Sequence, residues 1–423
     1  MQLNQVCYRT LQLADPAKLY TYESIGGYTV WRKILVEKPS ANSIINIIKS
    51  AELIGRGGAG FPAWVKWDSV LQSRALQKYI ICNSDEGEPG AFKDRDILNY
   101  NPHQIIEGMA IAGYAIGASV GYHYIRGEYS SQITIMEAAL KEARKAGLIG
   151  ENINGSGIDF QIYTFYGAGA YICGEETALI ESIEGKRGQP RIKPPFPTSH
   201  GLYGSPTLVN NTETLASVPV ILAKGSEWYT GLGINKNKGC KIFSISGHVN
   251  KPGNYEVPLG IHFAELLALA GGMRGNKKLK AVIPGGVSTP ILPADIIMNL
   301  AMDYGSLRQV GSELGTGSVI IMDEDTCMVQ ILARILRFYF HESCGKCTPC
   351  REGVGWVARI LNRILYTKGN VDDLKLLTEV IEKISTNSLC ALGSSVPIVV
   401  AGFLKYFSGE FERARGVCHC EER

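Results

Sequence analysis

Three thiols fall within seven residues at Cys344-Gly345-Lys346-Cys347-Thr348-Pro349-Cys350, at intervals of three. A four-iron cubane presents four corners; a tight loop wraps three of them and a fourth ligand comes from elsewhere in the chain. Cys390, in Ser388-Leu389-Cys390-Ala391-Leu392-Gly393, is the favoured fourth ligand, ahead of Cys418 and Cys420 in a polar tail. The plainer alternative is a four-thiolate zinc site that only ties helices together, although zinc more often takes two separated C-x2-C pairs. The chain has 11 Cys, an odd number that argues against a disulfide framework and for a metal or redox site. Cys7, Cys82, Cys173, Cys240 and Cys327 read as small buried residues.

A second set of residues suits a nucleotide. Gly55-Arg56-Gly57-Gly58-Ala59-Gly60-Phe61 is a glycine-rich loop with one charge inside it. Such a loop lets backbone N–H groups approach a phosphate, and Lys66 adds a cation nearby. It is neither a Walker A motif nor a GxGxxG after a strand, and a tight turn is the plainer reading. Asn83-Ser84-Asp85-Glu86-Gly87-Glu88-Pro89-Gly90 follows a short apolar run, so its carboxylates fall where open α/β sheets bind ligands. They suit ribose hydroxyls and repel an extra phosphate; a solvated acidic loop or a magnesium site is the alternative. Gly167 to Thr177 opens a helix with Glu175 and Glu176 at its start, where carboxylates also serve as caps. Asn210-Asn211 precedes another helix, again a capping position, and Phe196 among prolines is either packing or a stacking surface.

The elements that position these groups alternate. Ser43–Leu53 carries apolar residues at helical spacing, and Tyr79–Cys82 reads as a short buried strand. Helices are expected over about 103–118 and 131–146, the second with Ser130 as N-cap and Gly147 as stop. Strands are expected at 122–125 and 160–165, and a helix from Gly174 to Ile183. Residues 185–206 are too rich in proline for a helix, and 213–229 returns to one. This is α/β, with a mainly parallel sheet. After a composition shift near 231–240, the order β-β-α-β marks a small α+β domain. Four helical segments between about 325 and 407 then suggest a bundle around the Cys-rich loops.

Bulk properties narrow the function. Length suggests about three domains. A net charge of +3 with no long single-sign run offers nothing for nucleic acid or anionic lipid. The longest apolar stretches, such as Pro397–Leu404, fall short of the ~20 residues of a membrane span, and no signal peptide is seen. A cytoplasmic protein follows, with no direct membrane insertion.

Taken together, Gly55–Phe61, Cys82–Arg95, Gly167–Thr177, Lys193–Pro197, Val209-Asn210-Asn211 and Glu342–Gly353 resemble the NADH-binding, FMN-carrying subunit of bacterial respiratory complex I, over nearly the whole chain. The resemblance implies a Rossmann-like FMN- and NADH-binding domain over 1–235, a ubiquitin-like SLBB domain over 236–323, and a four-helix bundle with one [4Fe-4S] cluster over 324–423. It supports Cys344, Cys347, Cys350 and Cys390 as cluster ligands. It places FMN against Gly55, Gly57, Lys66, Asn83, Asp85, Gly174, Asn210, Asn211 and Thr214, and NADH against Phe61, Glu86, Glu88, Tyr171, Glu175, Glu176 and Phe196. The family's acidic residues favour NADH over NADPH. Ser69 stands where some members have an aromatic residue, and Ser84 and Ala91 replace a common Ala and Thr.

The implied chemistry is hydride transfer from NADH to FMN, then single electrons through the cluster to partner iron–sulfur subunits and ultimately quinone. No side-chain nucleophile takes part. The implied partners are a thioredoxin-like [2Fe-2S] subunit and the large iron–sulfur subunit, which would hold the chain at the inner side of the plasma membrane. A diaphorase subunit of a soluble hydrogenase or formate dehydrogenase is the second reading. The chain lacks the added N-terminal thioredoxin-like or C-terminal ferredoxin-like regions of many such relatives. A colourless zinc scaffold whose SLBB-like domain binds a partner or glycan is the third.

Overall fold

A computed structural model describes residues 3–366, 369–370 and 372–414. Cys418 and Cys420 lie outside the described residues. The chain divides into two compact units. One comprises 1–87, 91–244 and 254–261; the other 88–90, 245–253 and 262–423.

The first unit is built on a four-stranded sheet: β1 (Tyr79–Ser84), β2 (Val120–Ile125), β3 (Gln161–Tyr166) and β4 (Thr207–Asn211). Its order is β3-β2-β1-β4 and every pairing is parallel. The chain steps outward from β1 to β2 and β3, then returns to the far side of β1 with β4. Where strand order reverses in this way, the connections leave in opposite directions and a crevice opens at the carboxyl ends. Here that crevice falls between β1 and β4, where Asn83 and Asn211 stand opposite each other.

The helix Pro102–Ile116 crosses beneath the sheet and is buried on almost every side, as its all-round apolar sequence requires. It packs against the helix Thr212–Lys224 at Gly108, where an added Cβ would lie 2.1 Å from the Leu215 carbonyl oxygen. Only glycine permits that approach, so the two helices and the strand ends they carry are fixed closely together. Ile105, Ile106, Met109 and Ile111 are wholly buried, each worth about 1.5–3 kcal/mol.

Several local expectations shift. β1 runs on through Asn83 and Ser84, so these residues belong to the strand and not to the acidic turn. Ser130 is the first helical residue of Ser130–Lys145, with Tyr129 at the N-cap and no side-chain cap bond. Gly147 does take the left-handed conformation that stops this helix. The expected helix over 213–229 breaks at Gly225 into Thr212–Lys224 and Ser226–Thr230.

The second sheet has β5 (Cys240–Gly247), β6 (Gly253–Pro258), β7 (Leu279–Ile283), β8 (Leu292–Pro293) and β9 (Ser318–Asp323), in the order β6-β5-β9-β7-β8. β7 is antiparallel to both β8 and β9. In the second unit follow helices Met328–Glu342, Val354–Tyr366, Asp373–Asn387 and Ala391–Arg413, the four expected. A π-helical turn, Pro349–Gly353, leads out of the cysteine loop. Lys280 Nζ meets Glu410 Oε1 at 2.7 Å, tying β7 to the last helix. That last helix corrects one expectation. At 23 residues with a window of mean hydropathy 1.3 it is long and apolar enough to cross a membrane. Reading Pro397–Leu404 alone missed its continuity from Ala391, and 44% of that window is buried in the protein.

Candidate functional site

The carboxyl ends of β1 and β4 gather most of the residues expected at the nucleotide. Asn83 Nδ2 donates to the Gly174 carbonyl at 2.9 Å, and Asn83 Oδ1 accepts from the Asp85 N–H at 3.1 Å. One side chain thus joins β1 to the turn before the helix Glu176–Ile183. Asn211 caps the helix Thr212–Lys224 through the Glu213 N–H at 3.0 Å, while its Nδ2 donates to Asp94 Oδ2 at 2.7 Å. Asn210 Oδ1 accepts from the indole of fully buried Trp67 at 2.8 Å.

The glycine-rich loop is closed by the Gly55 N–H donating to the Phe61 carbonyl at 2.7 Å. Its charge is turned inward. The Arg56 guanidinium is buried and donates to Tyr229 Oη at 3.0 Å, while its backbone N–H donates to Thr214 Oγ1 at 2.9 Å. Thr214 therefore holds the loop itself. Gly57 lies so near Asn211 that an added Cβ would come 3.1 Å from the Asn211 Cβ. The loop and the capping asparagine form two walls of one cradle.

Lys66 Nζ bonds Glu176 Oε2 at 2.6 Å and reaches the Val209 carbonyl at 3.4 Å. Lys193 Nζ completes the cluster, 2.8 Å from Glu175 Oε1 and 2.9 Å from Glu176 Oε1. Glu175 Oε2 meanwhile caps the helix at the Thr177 and Ala178 N–H groups. Burial favours the neutral acid at Glu176, but Lys66 and Lys193 outweigh it and hold the carboxyl below its usual range. Tyr171 lies over Gly87, and the rings of Phe61 and Phe196 are about half exposed.

Two of the expected NADH carboxylates are engaged with backbone. Glu86 accepts from the Lys93, Asp94 and Arg95 N–H groups at 2.8, 3.1 and 3.1 Å and from Tyr129 Oη at 3.0 Å, anchoring the start of the helix Lys93–Tyr100. Within the second unit, Glu88 Oε1 accepts the Ser288 N–H at 2.8 Å.

Sequence reasoning passed over Lys93 and Asp94. Both are buried, their ion pair is 2.7 Å long, and together they grip the two ends of the Asn211 amide. Lys93 also lies 3.2 Å from Glu213, whose second cation is Lys241 at 2.6 Å. A Lys-Asp pair directly after the acidic turn was the available signal. Lys193 was quoted within a motif and given no role.

In the second unit, the start of the last helix meets the cysteine loop. An added Cβ on Gly393 would lie 3.4 Å from the Cys350 Cβ. Cys390 is the N-cap of that helix. Burial pushes the Cys350 thiol up to about 11; Ser343, 3.2 Å from its sulfur, opposes this, while Cys347, Cys390 and Cys344 raise it further. Cys390 is raised as well, by burial and by Cys344 and Cys347, against the N–H groups of Leu392 and Gly393. Burial and neighbouring thiols disfavour the ionised forms of Cys350 and Cys390, which a multiply charged cation would stabilise. Among the described residues, no three His, Cys, Asp or Glu side chains are gathered as for a single metal ion. Three thiols from one loop and a fourth at the N-cap of the last helix are the donor chemistry that a four-iron cluster would take.

Comparison with known proteins follows this division of labour. Residues 48–220 match the Nuo51 FMN-binding domain, 241–321 the SLBB domain, and 330–414 the NADH-ubiquinone oxidoreductase-F iron-sulfur binding region. Over 419 residues the chain is 49% identical to an F-type subunit of NADH-quinone oxidoreductase in Rhizobium meliloti (strain 1021), covering 99% of this chain and 98% of that one. The chain belongs to the F-type subunits of NADH-quinone oxidoreductase. The corresponding chain of Rickettsia bellii (strain OSU 85-389) is also 49% identical, over 87% of this chain and 89% of its own. A solved NAD+-reducing [NiFe]-hydrogenase in the H2-reduced state superposes with a TM-score of 0.82 at 35% identity, over 90% of this chain and 64% of that one. The air-oxidized form gives 0.79, with 66% of its chain covered. The chain thus spans about two thirds of those hydrogenase chains. As a member of this family, the protein is an NADH-oxidising oxidoreductase subunit whose cofactors are FMN and a [4Fe-4S] cluster.

Proposed function

We propose that the cradle at the ends of β1 and β4 holds FMN through Gly55, Gly57, Lys66, Asn83, Asp85, Gly174, Asn210, Asn211 and Thr214. NADH is received by Phe61, Glu86, Glu88, Tyr171, Glu175, Glu176 and Phe196, and Cys344, Cys347, Cys350 and Cys390 bind the cluster. The observation that carries the flavin assignment is the close pairing of Gly57 with Asn211 at a strand-order reversal, which leaves room for backbone on one wall and neutral amides on the other. Amides suit the edge of a flavin ring, and the single lysine suits its phosphate.

FMN supplies two-electron acceptance from NADH and one-electron release, and the cluster supplies a one-electron relay. The side chains bind and orient. Lys66 offsets negative charge in the cradle. Phe61 and Phe196 offer exposed ring faces for stacking. Glu176, kept ionised by Lys66 and Lys193, and Glu175, paired with Lys193, repel the added phosphate of NADPH. Glu86 and Glu88, assigned to the nucleotide, also anchor backbone.

We place the domain boundaries near 235 and 323, a reading supported by family matches over 48–220, 241–321 and 330–414. Membership of this family implies partner subunits of the same oxidoreductase. We assign these to a thioredoxin-like [2Fe-2S] subunit and the large iron–sulfur subunit, through which the chain lies peripherally at the inner face of the plasma membrane. The likeness to the NAD+-reducing hydrogenase keeps a diaphorase role as the second reading. The higher identity to the quinone-linked relatives favours the first.

The test is steady-state reduction of ferricyanide by the full chain reconstituted with FMN and iron–sulfur cluster. NADH should support turnover and NADPH should be at least about a hundredfold poorer. Equal use of both nucleotides, or no retention of FMN, overturns the assignment.

A further inference from the structure

A buried imidazole lies below the cradle and touches none of the residues assigned to a ligand. His123 is on β2, in register with Cys82 of β1 and Thr164 of β3, and is wholly buried. Its Nε2 is 2.7 Å from Ser84 Oγ, which is 2.5 Å from Thr212 Oγ1. Thr212 Oγ1 in turn donates to the Asn83 carbonyl at 3.3 Å. Ser84 and Thr212 are also fully buried. His123 Nδ1 has no hydrogen-bond partner among the described residues.

These contacts fix a direction. Thr212 spends its proton on the Asn83 carbonyl, so it accepts from Ser84. Ser84 then has no proton left for the imidazole and accepts from Nε2–H. The reverse order would strand a buried Nδ1–H donor and leave the Asn83 contact without a proton. A buried N–H without an acceptor is the rarer and costlier defect. A charged ring is excluded as well, because burial pushes the imidazole down to about 3.

We propose that His123 is a positioning residue for the nucleotide site: as the Nε2–H tautomer it heads a one-way hydrogen-bond chain through Ser84 and Thr212 to the carbonyl oxygen of Asn83. That oxygen is shared with Asn211 Nδ2, 3.4 Å away, so the chain ends where the two asparagines meet. It orients the last peptide of β1 from below, while the asparagine side chains face their partners at the strand ends. The inference rests on the assignment of Asn83 and Asn211 to FMN.

The full chain, labelled with 15N at histidine and loaded with FMN, tests it. Two-bond 1H–15N correlation at pH 7 should show His123, assigned by its loss in His123→Gln, as the neutral Nε2-protonated form. An Nδ1-protonated or doubly protonated ring overturns the proposal. FMN titration by fluorescence gives the second readout. His123→Leu should weaken FMN binding about tenfold, the effect of stranding one buried partner. His123→Gln, whose amide N–H reaches a similar place, should return to within about threefold of the wild type. Ser84→Ala should match His123→Leu, and the double variant should be no worse than either single change. The flavin midpoint potential should move in His123→Leu and Ser84→Ala but not in His123→Gln. Additive losses, or unchanged FMN affinity in Ser84→Ala, overturn the proposal. A wild-type chain that takes up no FMN instead sinks the flavin assignment, and the tautomer spectrum still decides the inference.

Discussion

Lys66 Nζ and Glu176 Oε2 stand 2.6 Å apart, so the cation assigned to the flavin phosphate and a carboxylate assigned to NADH share one ion pair. Both side chains are about three quarters buried, and Lys193 bonds the other oxygen of Glu176. Filling either subsite redistributes charge at the other. Lys66→Met should therefore weaken FMN binding by about ten- to a hundredfold, the worth of a charge-assisted bond. It should also raise the KM for NADH, because Glu176 keeps only Lys193. Flavin fluorescence titration and steady-state kinetics measure the two effects. Loss of one without the other would separate the subsites.

Gly57→Ala tests the cradle. The new methyl group would sit 3.1 Å from the Asn211 Cβ, in the space between loop and cap. FMN retention after gel filtration should fall sharply, with the thermal midpoint of the flavin-free protein within a few degrees of the wild type. A variant that keeps its flavin would show that the loop does not wall the site.

Glu256 gives the first unit a pH dependence of known sign. Its carboxylate accepts from the Val6, Cys7 and Tyr8 N–H groups at 3.1, 2.7 and 3.1 Å. Burial nevertheless pushes the acid up to about 7 from an ordinary 4.5, with those N–H groups opposing and Glu213 assisting. Between these values the folded chain holds a proton that the unfolded chain releases. The associated stability is full below about 4.5 and is lost as pH rises through about 7. Glu256→Gln should flatten this loss, on the order of 2–4 kcal/mol, in urea unfolding compared at pH 5 and pH 8. An unchanged slope would mean that Glu256 is ionised throughout.

Cys390→Ala should remove the cluster, read as iron content and as the paramagnetic signal of the reduced protein. FMN content should stay the same, because none of the flavin-cradle residues named above belongs to the unit that contains Cys390. A full iron complement in this variant would move the fourth ligand elsewhere.

Much of this was legible in the chain because it depends on local spacing. The three-residue cysteine rhythm marked the thiol site, and the parallel sheet followed from alternating strand and helix patterns. Glycines were visible, but what they approach was not: Gly57 meets Asn211, more than 150 residues later in the chain. Charge was legible as type and not as direction. Arg56 read as a charge inside a phosphate-cradling loop and is turned to Tyr229; Glu86, expected at the nucleotide, also anchors a helix start. For Arg56 the partner lies 173 residues further along the chain, while Glu86 turns to N–H groups seven to nine residues on. The Lys-Asp pair was visible but the role of Lys93 was not, since its partners Asn211 and Glu213 arrive from another strand and helix.

The most direct measurement is anaerobic titration of the reconstituted full chain with NADH, followed together by absorbance and paramagnetic resonance. Bleaching of the flavin band by about one equivalent of NADH, accompanied by the signal of a reduced four-iron cluster, is the expected result. Flavin that stays oxidised under excess NADH, or bleaches while the cluster never accepts an electron at any potential NADH can reach, would contradict the account.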